Sequence, residues 1–369
     1  MNVYVPLGLF LTLLCLLFSN NKKGAVKMFT ICMAVAFVFS ALRYEFGPDY
    51  FHYWEIYEHG EQGRSLSSYL AERDDVRLEP FFRYYLQLFP KYTFFIITNT
   101  LLWFVAIFFV FKKYVDLKYS WVLILFLFFN INCLINNYVA MRTSLAAICF
   151  IPGLYFLMQN KRWLYVFFVI LGSLFHTASI ALVVLVFLSF KKGVLNSKVF
   201  IVVCGFLGFL IVLIGQNFIT TTLSTLVMDS VEDMNRYAGY LDKVSKASFT
   251  LNALLFKVLS FIPAFYLAYA SQFETEKEFI IINKVGIIAS LLILLLGQNI
   301  LTDRFLMILN PIFIVSIIHS LQYCRKEFNI IALSSVFIVS FYMFYNTMNS
   351  SYAISYQTYQ TVFSAPFIP

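Results

Sequence analysis

Three arginines stand at or near the ends of apolar runs in a chain where charge is scarce, Arg43, Arg142 in NNYVAMRTSLA and Arg304 in TDRFLMILNP, and a fourth, Arg236 in MNRYAGYLDK, lies within a long loop. A guanidinium stays charged at any working pH and grips diphosphate or carboxylate oxygens through a fork of N–H donors, so four on one face would form an anion site. The plainer alternative for each is snorkelling to a lipid phosphate. Two acids, Asp49 and Glu79, sit beside a turn or helix start and are candidate general bases for a hydroxyl. The other loop acids, such as Glu55, Glu58, Asp233 and Asp242, read as solvated charge. His176, in GSLFHTAS, is an ionisable group among apolar residues, either functional or a satisfied core histidine. Tyr50, Tyr53 and Tyr240 belong to a set of aromatics that fits an interfacial belt or a stacking platform for sugar rings.

Other chemistries have no support in the spacing. No two histidines show HxxxH or HExxH spacing, the six cysteines stand singly without CxxC pairs, and no Gly-rich phosphate loop or GxSxG elbow is present. No metal is expected.

The elements that must position these residues are membrane helices. Of 369 residues 61% are hydrophobic and 12% charged, with 44 Phe and 24 Tyr, more apolar surface than a water-soluble globule of this size can hide. A hydrocarbon core of about 30 Å needs roughly 20 apolar residues per helix. Such runs fall at 3–19, 25–42, 93–111, 119–136, 138–158, 199–219, 251–271, 279–300, 303–322 and 328–346. The first lacks a basic region before it and a small-residue cleavage site after it, so it is expected to stay as an anchor. The expected fold is an all-α polytopic bundle of about 10–12 membrane helices, one integral membrane domain over 1–369.

The segment 163–190 is either one long tilted helix or a hairpin of two short arms meeting near 173–176. Lys22/Lys23/Lys27, Lys112/Lys113/Lys118, Lys161/Arg162, Lys191/Lys192/Lys198 and Arg325/Lys326 form five basic clusters, and the positive-inside rule favours the hairpin because it keeps all five cytoplasmic. The net charge of +8 is then a topology signal, and no nucleic-acid partner is expected. On this topology the loops at about 43–92 and 220–250 and the tail share the external face. Within the first loop, 78–89 (LEPFFRYYLQLF) suits an interfacial amphipathic helix, with Glu79 and Pro80 in its first turn.

Several motifs carry a resemblance: Arg43-x3-Gly47-x-Asp49-Tyr50-x2-Tyr53 after the second apolar run, Glu79-Pro80-Phe81, Arg142-x3-Ala146, Phe175-His176-Thr177-Ala178, and the late Arg304. In order and over most of the chain, they resemble the EpsG-like polysaccharide polymerases, relatives of the Wzy O-antigen polymerases. Two features depart: Thr143 stands where the family often has glutamine, and the second external loop aligns only at Arg236 and Tyr240. The resemblance implies a polymerase of the bacterial inner membrane, facing the periplasm. It would transfer a glycan from undecaprenyl diphosphate to an incoming lipid-linked repeat unit, without a cofactor and with a chain-length regulator as a further partner. Arg43, Arg142, Arg236 and Arg304 would hold the diphosphate with Tyr50, Tyr53 and Tyr240 beside the glycan, and Asp49, Glu79 or His176 would take the hydroxyl proton. A lipid-linked oligosaccharide flippase, an O-antigen ligase and a membrane O-acetyltransferase are the alternatives.

Overall fold

The computed structural model describes residues 4–44, 47, 49–71, 78–130, 132–133, 139–214, 251–296, 300–348 and 360–361. The chain runs through α1 (Tyr4–Leu17), α2 (Lys22–Ala41), β1 (Arg43–Tyr44), α3 (Asp49–His59), α4 (Leu66–Ala71), α5 (Pro80–Gln87), α6 (Tyr92–Tyr114), α7 (Ser120–Phe129), α8 (Met141–Met158) and α9 (Arg162–Phe175). After a 3₁₀ arm (Thr177–Phe187) come α10 (Lys198–Ile214), α11 (Leu251–Ala270), α12 (Lys277–Leu296), α13 (Ile300–Ser320), α14 (Lys326–Met348) and β2 (Gln360–Thr361). Six helices, α2, α6, α8, α12, α13 and α14, are long and apolar enough to cross a bilayer, and shorter apolar helices accompany them among the described residues. The protein is an all-α polytopic membrane protein.

Its contacts divide it into two compact units, one of Met1–Leu188, Met307–His319 and Ser340–Pro369, the other of Ser189–Leu306 and Ser320–Val339. In the first unit, α8 and α9 lie close because α9 carries a glycine where they meet. A Cβ on Gly172 would stand 3.4 Å from both the Ala146 carbonyl oxygen and the Cys149 Cβ. Phe156 and Phe168 stack beside that contact with ring centroids 5.6 Å apart.

The 163–190 segment is a hairpin. The α-helix ends at Phe175, His176 is extended (φ −150°, ψ 103°), and the chain returns as the 3₁₀ arm. The Tyr165 hydroxyl, near the start of α9, donates to the Leu182 carbonyl of the returning arm at 2.5 Å, which requires the arms to run antiparallel. Fourteen residues of α-helix and eleven of 3₁₀ helix each reach only about 21–22 Å, short of a full crossing.

Within the run at 119–136 the helix α7 ends at Phe129, with Asn130 as its C-cap. The Asn130 Oδ1 accepts the N–H groups of Asn132 (3.1 Å) and Cys133 (3.2 Å), the pattern by which an asparagine caps the start of a helical turn. The same amide bonds Ser340 Oγ (3.0 Å) and the Asn310 amide (3.1 Å), so the polar break is satisfied within the apolar interior.

The described residues of the first loop fold into short helices. Gly47 has φ +93°, a left-handed conformation that glycine adopts without cost, and its carbonyl accepts from the Tyr50 N–H as α3 begins. Tyr50, Tyr53 and Tyr57 form a helical stripe on α3 and pack inward: Tyr53 lies 5.3 Å from Phe82, and Tyr50 5.3 Å from Tyr92, by ring centroids. The expected amphipathic helix is α5, with Glu79 as N-cap and Pro80 in the first turn, and with Phe82 and Leu86 on its buried side. Gln87 ties its end to the Ile56 and Tyr57 carbonyls. Antiparallel pairing of Arg43 with Thr361 and Tyr44 with Gln360 brings the tail to the start of this loop.

In the second unit, α10, α11 and α12 pack together. Two lysines inside its apolar runs are occupied with backbone oxygens: Lys257 donates to the Leu294 carbonyl, and Lys284 to those of Ser189 (2.6 Å) and Lys191 (2.7 Å). Buried Glu274 accepts from the Thr275 and Glu276 N–H groups and from the Tyr323 hydroxyl, joining two turns of the unit.

Candidate functional site

In the first unit, Glu79 is where three elements converge. As the residue before Pro80 it caps α5, while its carboxylate reaches α8 on one side and the hairpin apex on the other. Arg142, in the first turn of α8, donates from Nη1 to Glu79 Oε2 at 2.7 Å and from Nε to the Tyr53 hydroxyl at 3.4 Å. A cation at a helix N-terminus is opposed by the macrodipole, so the carboxylate supplies the compensation that α8 itself cannot. Glu79 Oε1 accepts both the N–H (3.0 Å) and the hydroxyl (3.1 Å) of Thr177, and lies 3.5 Å from His176 Nδ1. At 3.5 Å the imidazole is close enough for charge interaction and long for a hydrogen bond.

The apex is held in place by aromatic packing. Phe175, the last residue of α9, lies edge-on to Phe81 (5.0 Å) and Tyr85 (5.4 Å) of α5. Tyr85 in turn donates to Asn99 Oδ1 of α6 at 3.2 Å. The hairpin, the interfacial helix and the membrane helix are thus pinned together beside the carboxylate.

The environment fixes the charge states. Burial pushes the Glu79 carboxyl up, but His176, the Arg142 guanidinium and the Thr177 N–H outweigh it and hold the group well below the usual carboxylate range. Glu79 is therefore an anion at working pH and a weak proton acceptor in this arrangement. The Arg142 and Glu79 side chains remain 19% and 15% exposed, so the pair stands at an accessible rim, with His176 more enclosed at 8%.

The remaining candidates are placed as follows. Arg43 is buried, with Nη1 donating to the Ser40 carbonyl (2.6 Å) and Thr100 Oγ1 (2.8 Å), a tie between α2 and α6. Asp49 is the first residue of α3, where an acid complements the helix dipole. Tyr50 and Tyr53 are buried in the tyrosine stripe, so it is the Tyr53 hydroxyl, and not its ring face, that meets Arg142. Arg304 belongs to the second unit, in the first turns of α13 beside Asp303. Arg236 and Tyr240 lie outside the described residues. Among the described residues no three His, Cys, Asp or Glu side chains converge as a metal site would require.

The sequence matches the EpsG family over residues 26–361. The chain belongs to the EpsG family. The match extends from α2 to Thr361, so it takes in both strands of the β1–β2 pair. No curated protein and no solved structure matches it significantly. Membership makes this EpsG-family protein a polymerase-like membrane glycosyltransferase, working in the bilayer on a lipid-linked substrate. Of its clustered residues, sequence reasoning missed the Thr177 hydroxyl, which falls at the open position of the Phe-His-x-Ser/Ala element and carries no motif signal. It also missed that Tyr53 meets Arg142; the i, i+3, i+7 spacing of the tyrosines signalled a packed face of α3, and only packing showed what its hydroxyl touches.

Proposed function

We propose that the protein is a Wzy-type polymerase. It transfers a growing glycan from undecaprenyl diphosphate to the non-reducing end of an incoming lipid-linked repeat unit, at the periplasmic face of the bacterial inner membrane. In the reaction the bond between the anomeric carbon and the diphosphate oxygen breaks, and a bond from that carbon to the acceptor hydroxyl oxygen forms. The hydroxyl proton leaves to a base, and the diphosphate departs with the bonding electron pair.

The observation that carries this reading is the Glu79 carboxylate shared between Arg142 on one oxygen and the His176–Thr177 apex on the other. Arg142 sits at the rim where a lipid diphosphate would lie at headgroup depth, and its charge stabilises the leaving group. His176 takes the proton, and Glu79, a poor base while so tightly bonded, stabilises the imidazolium that forms, as the carboxylate does in a catalytic triad. The Tyr53 hydroxyl, bonded to Arg142, completes the glycan side, and Asp49 is the reserve base. A chain-length regulator would act on the same growing product.

Lipopolysaccharide from a host with the gene deleted and then restored tests the reading. Polymerase function predicts collapse of the ladder to core plus a single repeat, and its return with the wild-type gene. Arg142→Ala accumulates normally but does not restore the ladder, and Arg142→Lys, which keeps charge but loses the fork, restores it only weakly. Loss of even the single repeat on deletion would point to a flippase or ligase; full restoration by Arg142→Ala would overturn the site.

A further inference from the structure

Thr177, within the Phe175-His176-Thr177-Ala178 element, makes two of the contacts that hold the Glu79 carboxylate. We propose that Thr177 is a positioning residue: its hydroxyl, together with its own N–H, sets the rotation of the Glu79 carboxylate so that one oxygen serves Arg142 while the other faces His176. This rests on the polymerase reading above.

The terminal torsion of a glutamate is broad and roughly two-fold, so the side chain alone does not fix the plane of its carboxylate. A single donor on each oxygen would still let that plane rock. Thr177 opens the 3₁₀ arm, where the N–H has no partner within its own helix and is available to an outside acceptor. The hydroxyl adds a second donor to Oε1 from a different direction, and with Arg142 on Oε2 three contacts define the plane.

Thr177 itself is exposed, so its hydroxyl would be satisfied by water without this bond. Threonine hydroxyls commonly fold back on their own backbone. This one instead reaches across to a residue 98 positions away. Its contribution is therefore orientation at the site and not satisfaction of a buried group.

The test uses full-length protein in nanodiscs with undecaprenyl-diphosphate-linked repeat units extracted from the deletion host, and compares Thr177→Val with Thr177→Ser. Valine keeps the shape and the N–H and removes the hydroxyl; serine keeps the hydroxyl. The expected result for Thr177→Val is a kcat lowered on the order of tenfold or more with KM little changed, as for an interaction that matters in the transition state. Thr177→Ser keeps most of the wild-type kcat. Wild-type kcat in Thr177→Val, equal impairment of the two variants, or a change in KM alone would overturn the proposal. If Thr177→Val does not accumulate, Thr177→Ala replaces it; failure of both to accumulate while Thr177→Ser does would make the hydroxyl a folding determinant and overturn the proposal as well. A wild-type protein that extends no chain would remove the polymerase reading and this role together, whereas wild-type extension with an unaffected Thr177→Val removes only this role.

Discussion

Glu79 shows how one side chain can be worth more as a fixed anion than as a base. Burial alone would raise its carboxyl, and a raised carboxyl is what a general base near neutrality needs. Here His176, Arg142 and Thr177 together reverse that effect and depress the group below the usual range. Because the folded-state value is depressed, its stabilising contribution is complete above the unfolded value of about 4.3 and is lost as the pH falls from there toward the folded value. The Glu79 contribution, read as the difference in Tm between wild type and Glu79→Gln, should therefore be constant from pH 8 to about pH 5 and shrink on further acidification. Glu79→Gln leaves Arg142 with its charge and without its counter-ion, at a cost of about 2–4 kcal/mol at neutral pH. Thermal unfolding of both proteins across this range checks the sign; a neutral-pH Tm unchanged in Glu79→Gln would show that the ion pair stabilises nothing.

At the scale of elements, the hairpin and the interfacial helix decide whether those residues meet. Helix α5 was legible because its start carries its own signals, an acid followed by proline, and because Phe82 and Leu86 recur at helical spacing. The hairpin was legible only through the charges that flank it. Its turn at His176 puts a nominally mid-segment residue beside a loop residue, and the Tyr165 hydroxyl holds the arms in that register. Tyr165→Phe should destabilise the protein by about 1 kcal/mol, the net contribution of one buried hydrogen bond. Chemical or thermal unfolding measures it, and a loss under about 0.5 kcal/mol would mean that the hydroxyl does not set the register. The end of α7 at Asn130 was not legible, because hydropathy sums composition and does not register one asparagine whose amide is satisfied by Asn310 and Ser340, far away in the chain.

At the scale of the whole molecule, the hairpin sets the sidedness of everything after it. Single cysteines at Lys161 and Lys191 should react with a membrane-impermeant maleimide only from the cytoplasmic side, and one at Arg64 only from the other. The native cysteines interfere little, since five are buried and Cys324, half-buried, is removed by Cys324→Ser. Opposite labelling of Lys161 and Lys191 would replace the hairpin with a single crossing. What the sequence alone determined were properties that accumulate locally or statistically: the membrane class, the helical fold, the amphipathic helix α5 and, through ordered short motifs, the family resemblance. What only the tertiary structure decided is which of the candidates share a site. Arg142 and Thr177 meet the same carboxylate across separations of 63 and 98 residues, while Arg43 turns into the packing between α2 and α6. Contacts over such distances depend on how α5, α8 and the hairpin apex pack in three dimensions, and no periodicity, cap or hydropathy window along the chain encodes that packing.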